Sequence, residues 1–179
     1  MKALLIRSTQ FDVAGDGRTI EGMAFEWERP AFVEDPGAAR YLEEFDRRSA
    51  EQTLRMRGHR PVFVEHEHIL GSVGETQFTP ASEGLMFRAR ATDSIYAAQT
   101  MARVNAGELT AVSIGFRPIR SLKRSDPRGT VTRRAEISIE ELSLAREGQH
   151  PGGQILAVRS VPATPRLDEL RRQRSLLLI

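Results

Sequence analysis

Hydrophobic and polar positions alternate along most of this chain, and a period of two predicts strands. Lys2–Arg7 and Thr19–Trp27 read as two strands around a turn at Ala14–Gly17, an N-terminal hairpin with Gly22 at a bulge. Pro61–Glu65 reads as a third strand whose face Val62 and Val64 share with His66 and His68 if the strand continues. Leu70–Phe78 and Gly84–Thr92 form a strand pair, with Pro80 and Gly84 marking the turn. Leu109–Ile119 and Val131–Arg146 are further strands, separated by a polar loop at Arg120–Gly129, and Gln154–Val161 is a last one beyond the turn-rich Glu147–Gly153.

Two stretches carry the helical period instead. Over Ala38–Leu54, Tyr41, Leu42 and Phe45 form an apolar stripe with Glu43, Glu44, Asp46, Arg47 and Arg48 outside it, which predicts a solvated amphipathic helix. Ile95–Asn105 follows a capping Asp93 or Ser94, places Ile95, Ala98, Met101, Ala102 and Asn105 on one side, and stops at Gly107. Leu167, Leu170, Leu176 and Leu177 suggest a short amphipathic helix at the C-terminus. The expected fold class is α+β, mainly β, with one domain over 1–163 and a tail over 164–179.

Within the strands, two runs break the simple alternation. In Ala111-Val112-Ser113-Ile114-Gly115-Phe116 the aliphatic file is Val112, Ile114, Phe116, and Ser113 points the other way between two small residues. In Glu136–Leu144 the apolar file runs through Ile137 and Ile139 and then changes sides at Glu141, to Leu142 and Leu144. A bulge, or cover on both faces, accounts for that switch. A carboxylate at Glu141 needs a partner, because burying it unpaired is costly; an imidazole or Arg133 or Arg134 would serve.

Composition narrows the classes. The 179 residues suffice for one sizeable core. With no cysteine, disulfides, thiolate metal sites and cysteine nucleophiles are excluded. No apolar run approaches the roughly 20 residues that span a bilayer, and Ala3–Ile6 is too short for the core of a signal peptide. Net charge is +2, with Lys2 and Lys123 the only lysines among many arginines. Acidic residues are interleaved with these arginines, so nucleic acid is not the expected partner.

A serine hydroxyl needs a base to become a nucleophile, and the base needs an orienting group. Ser113 is preceded by a histidine run, Val62-Phe63-Val64-Glu65-His66-Glu67-His68, and followed by Glu136–Leu144. The order His…Ser…Glu therefore holds along the chain. His66 and His68 compete for the base, and Glu140 and Glu141 for the acid. The histidine pair with a nearby Glu65 or Glu67 could also ligate a metal, though a third convincing ligand is missing.

The ordered set resembles the prohead (capsid maturation) serine proteases of tailed phages. The matching pieces are the N-terminal hairpin, a histidine strand ending in Leu70-Gly71, Glu83-Gly84-Leu85, a helix entering the next strand through Gly107-Glu108-Leu109, Ser113-Ile114-Gly115-Phe116, and Glu141-Leu142-Ser143-Leu144. The segment Glu147–Gly153 departs from the family's usual ending. The resemblance implies a compact β-barrel flanked by helices, distantly similar to herpesvirus maturation proteases. It selects Ser113, His66 and Glu141 as the triad. The herpesvirus comparison suggests Arg133 and Arg134 for the oxyanion. It further implies a serine endopeptidase without cofactor, enclosed in an immature capsid in the bacterial cytoplasm. There it cuts the scaffolding segment of the major capsid protein and itself, as a homo-oligomer away from any membrane. The particle is a phage, a prophage remnant or a gene-transfer agent. The alternatives are a non-catalytic scaffold of the same fold, an arginine-rich nucleic-acid-binding domain, and a small metal hydrolase on His66 and His68.

Overall fold

The computed structural model describes residues 5–13, 17–35, 37, 39–56 and 58–146. Among these residues, nine strands, β1 (Leu5–Val13), β2 (Thr19–Glu26), β3 (Ala31–Val33), β4 (Tyr41–Phe45), β5 (Arg60–Val64), β6 (Gly74–Pro80), β7 (Gly84–Ala91), β8 (Ala111–Asp126) and β9 (Gly129–Ala145), form one sheet. Two helices accompany them, α1 (Glu51–Arg55) and α2 (Ile95–Asn105). The expected last strand at Gln154–Val161 and the tail over 164–179 lie outside the described residues.

The sheet order is β3-β4-β9-β5-β6-β7-β2-β1-β8, and β8 also pairs with β9. The cause is the length of β9. Its first half pairs in parallel with β4, Val131–Arg134 against Leu42–Phe45, and its end pairs in parallel with β5, Leu142–Leu144 against Val62–Val64. Its other side runs antiparallel along the whole of β8. The sheet therefore curls around the core while β4 and β3 run off β9 to a free edge. The mainly β expectation holds, but the compact barrel becomes a curled half-barrel in which β3 is the edge among the described strands. Helix contributes a five-residue α1 in place of the long helix expected over Ala38–Leu54, and an eleven-residue α2.

Between its two parallel partners β9 is served by the segment around α1. Asp46 N–H donates to Arg134 O at 3.0 Å, Ile137 N–H to Ser49 O at 2.8 Å, and Ile139 N–H to Thr53 Oγ1 at 2.9 Å. Arg60 Nε donates to Ile139 O at 2.8 Å. These bonds meet the backbone demand of a buried stretch whose edge away from β8 no described strand covers.

The expected helix over Ala38–Leu54 is corrected. Tyr41–Phe45 is strand, and helix begins at Glu51. Glu43 and Glu44, expected on a solvated face, are 0 % and 1 % exposed. Arg134 Nε meets Glu43 at 2.5 Å, and Arg124 grips Glu44 with two nitrogens at 2.8 and 2.6 Å. Tertiary partners here override the local period. The loop expected at Arg120–Gly129 is corrected too. β8 and β9 continue as one long hairpin that turns at Pro127-Arg128, with Asp126 accepting from Arg128 N–H at 3.1 Å. The bulge expected at Gly22 falls instead at Ala24, while Gly22 pairs regularly with Phe11 and Phe87.

Helix α2 forms where expected, capped by Ser94 Oγ accepting from Ala97 N–H at 3.1 Å. Its buried side is Ala97, Thr100, Met101 and Val104, rotated from the expected stripe, and Ile95 is exposed. The core inside the curl is built on Phe25, Leu85, Ile114, Phe116, Ile139 and Leu142, all fully buried. Each such side chain stabilises the fold by about 1.5–3 kcal/mol. Phe25 stacks on Phe45 at 4.1 Å, and Phe45 meets Phe116 edge-on at 5.5 Å.

Candidate active site

The site is built on the β8–β9 ladder. Val112, Ile114 and Phe116 of β8 join the core, so Ser113 and Gly115 face away from it. On β9, Gly115 pairs with Glu141 but Phe116 pairs with Ile139, which leaves Glu140 as the extra residue of a bulge. This is the expected switch of sides. Ile137 and Ile139 before the bulge, and Leu142 and Leu144 after it, all reach the core. Glu141 and Ser143 are thereby turned onto the face of Ser113, and Ser143 stands directly opposite Ser113 in the register.

Gly115 is required by Glu141. A Cβ there would lie 2.5 Å from Glu141 Cγ and 2.9 Å from both Cδ and Oε1. The carboxylate side chain thus crosses the strand in the space a side chain would fill.

The histidines arrive from the end of β5, though not as a continued strand. Glu65 and His66 adopt left-handed backbone, φ 49° and 61°, and His68–Leu70 form a 3₁₀ turn. The reversal is pinned by Glu65 N–H donating to Leu144 O and Glu67 N–H donating to Val64 O, both at 2.9 Å. Non-glycine residues in this conformation are costly, about 1–3 kcal/mol each, and such strain gathers at functional sites. Here it brings both rings over one carboxylate. His66 Nδ1 bonds Glu141 Oε1, and His68 Nε2 bonds Glu141 Oε2. The histidine ring of His68 also stacks on Phe63, centroids 4.4 Å apart.

Glu141 is 2 % exposed. Burial pushes its carboxyl up, but hydrogen bonding and electrostatic attraction from His66 and His68 together outweigh burial and hold it below the usual carboxylate range. Two hydroxyls and one ring nitrogen of this region are buried without a hydrogen-bond partner among the described residues: Ser113 Oγ, Ser143 Oγ and His66 Nε2. Unpartnered buried polar atoms are uncommon in folded proteins and call for an explanation such as catalysis.

The structure thus brings His66, His68 and Glu141 into contact and places Ser113 on the same face of the ladder. Glu140 is apart from them, on the bulge, accepting from Ser138 Oγ at 2.9 Å and lying 3.8 Å from Arg117. Arg133 and Arg134 are not brought to Ser113. They stand on the first half of β9, about 20–25 Å from Glu141 along an extended strand. Arg133 is held by Asp46 and Glu28 at 2.6 and 2.9 Å, Arg134 by Glu43, Tyr41 and Ser121. Both guanidinium groups are thus engaged by carboxylates, and Glu141 pairs with the histidines instead. Among the described residues no group of three His, Cys, Asp or Glu could hold a metal ion. Ser143, opposite Ser113 in the register, was not singled out as a candidate from the sequence.

The family model of the caudovirus prohead serine protease matches residues 3–162. The chain belongs to this family. No curated protein and no solved structure matches it. Membership makes the chain a serine peptidase of the capsid-maturation class, whose members act on capsid protein inside the procapsid. None of the described helices is long and apolar enough to cross a membrane.

Proposed function

We propose that this family member is the endopeptidase that matures proheads by cutting the scaffolding segment of the major capsid protein, and itself, through Ser113, His66 and Glu141. The observation that carries the assignment is the state of His66. Its Nδ1 is committed to Glu141, while its Nε2 is buried and unpartnered. An ionised carboxylate only accepts, so Nδ1 carries the proton, and in the neutral ring Nε2 offers a lone pair. That is the tautomer a serine base requires. His68 has the opposite disposition, with Nε2 spent on Glu141 and half its side chain in solvent, so the base is His66.

In the reaction, His66 Nε2 takes the Ser113 proton as Oγ bonds to the scissile carbonyl carbon. Glu141 stabilises the imidazolium that results. Collapse of the tetrahedral adduct breaks the C–N bond, and Nε2 returns its proton to the leaving amine. Water, deprotonated by the same nitrogen, then hydrolyses the acyl-serine. In this reading Arg133 and Arg134 are structural, and the oxyanion is met by other donors.

Co-expression with the neighbouring capsid protein, followed by intact-protein mass, tests the proposal. Wild type is expected to trim the capsid protein and shorten itself, and Ser113→Ala to leave both whole. Glu141→Gln is expected to slow cutting about ten-thousandfold. Cutting by Ser113→Ala would remove Ser113 from the role. Intact capsid protein with both forms, while particles assemble, would favour the scaffold alternative.

A further inference from the structure

Glu141 is occupied on both oxygens, Oε1 by His66 and Oε2 by His68. The last torsion of a glutamate is broad and roughly two-fold. A carboxylate bonded at one oxygen can still turn about it; bonded at both, it cannot without breaking a bond. The second partner is itself braced. His68 opens the 3₁₀ turn, and its ring lies on Phe63 at 4.4 Å with 28° between planes. Phe63 in turn pairs with Ser143, which pairs with Ser113. Because 54 % of the His68 side chain is exposed, burial alone does not set its orientation; the stack and the bond to Oε2 do.

We propose that His68 is a positioning residue. By fixing Oε2 it keeps Oε1 on His66 Nδ1, and so keeps His66 in the tautomer whose Nε2 is free to act as base. The geometric part stands alone; the catalytic consequence rests on the Ser113–His66–Glu141 reading above.

The test uses His68→Phe, which keeps a ring on Phe63 and loses the donor, and His68→Gln, whose amide N–H can still reach Glu141. Nitrogen NMR of labelled histidine, in a Ser113→Ala background that prevents self-cutting, reads the His66 tautomer directly. The parent is expected in the Nδ1–H form, the Phe variant in a mixture, and the Gln variant close to the parent. With Ser113 present, His68→Phe is expected to lower kcat on a capsid-derived peptide about 10–100-fold, the range that losing an outer histidine partner costs at metal sites. KM should stay within about twofold, and the Gln variant should recover most of the loss. An unchanged His66 tautomer in the Phe variant, or an unchanged kcat, would overturn the proposal. Because the tautomer is read without turnover, it still decides on His68 if the serine assignment fails.

Discussion

Ser113, Gly115 and Glu141 depend on one another through a few ångströms of space. The glycine leaves the volume that Glu141 crosses, so Gly115→Ala places a methyl 2.5 Å from Glu141 Cγ. The methyl must displace the carboxylate from His66. Expected outcomes are a stability loss of about 1–3 kcal/mol by denaturant unfolding and a fall in cleavage rate larger than that loss explains. Unchanged cleavage would mean that the position of Glu141 does not matter to the reaction. Glu141 also sets a pH dependence. Its carboxyl lies below the usual range because the two histidines outweigh burial. Over that window the unfolded chain binds more protons than the native one. The stability Glu141 contributes is therefore present above the unfolded carboxyl's pKa and lost as pH falls through the native value. Wild type should lose stability relative to Glu141→Gln on acidification below about pH 5, read from urea midpoints. A flat difference would contradict a net stabilised carboxylate.

At the scale of elements, β4 and the β8–β9 hairpin are locked by buried charge. Glu43 is fully buried and Arg134 nearly so, and the pair is completed by Tyr41 and Ser121. Breaking such a pair from one side strands the other charge. Arg134→Ala should cost about 3–5 kcal/mol in urea unfolding, and Glu43→Leu with Arg134→Met should recover most of it. A single-variant cost under about 1 kcal/mol would show that the lock is idle. The same pair explains the misread helix. Tyr41–Phe45 has a helical stripe in sequence, but its carboxylates have arginine partners eighty and more residues away. No local pattern can announce those. The helix α2 was legible because its signals are local, a serine cap and a terminating glycine. Its buried side was less so, since that depends on how the helix lies on β7.

For the molecule as a whole, the long hairpin is the organiser. β9 is a neighbour of β8, β4 and β5 at once. The bulge at Glu140 divides the strand into a part whose isoleucines serve the core and a part that turns Glu141 and Ser143 onto the face of Ser113. The alternation along the chain determined by itself that this is a mainly β protein, that Ser113 faces away from the aliphatic file, and that the file changes sides at Glu141. Those are properties of residue spacing, and spacing is written in the chain. The order of His, Ser and Glu and the family wording were equally readable, and the family match bears out the resemblance. Three things were decided only in three dimensions. The strand that carries the histidines ends in a left-handed turn, because a reversal there lets both rings reach β9. Arg133 and Arg134 are drawn to carboxylates of β2–β4 and the segment after it, away from the serine. And β4, with β3 beyond it, joins the sheet through β9, because β9 is long enough to take two parallel partners in succession. Each depends on which distant segments meet, and pairing energy between distant segments has no local signature.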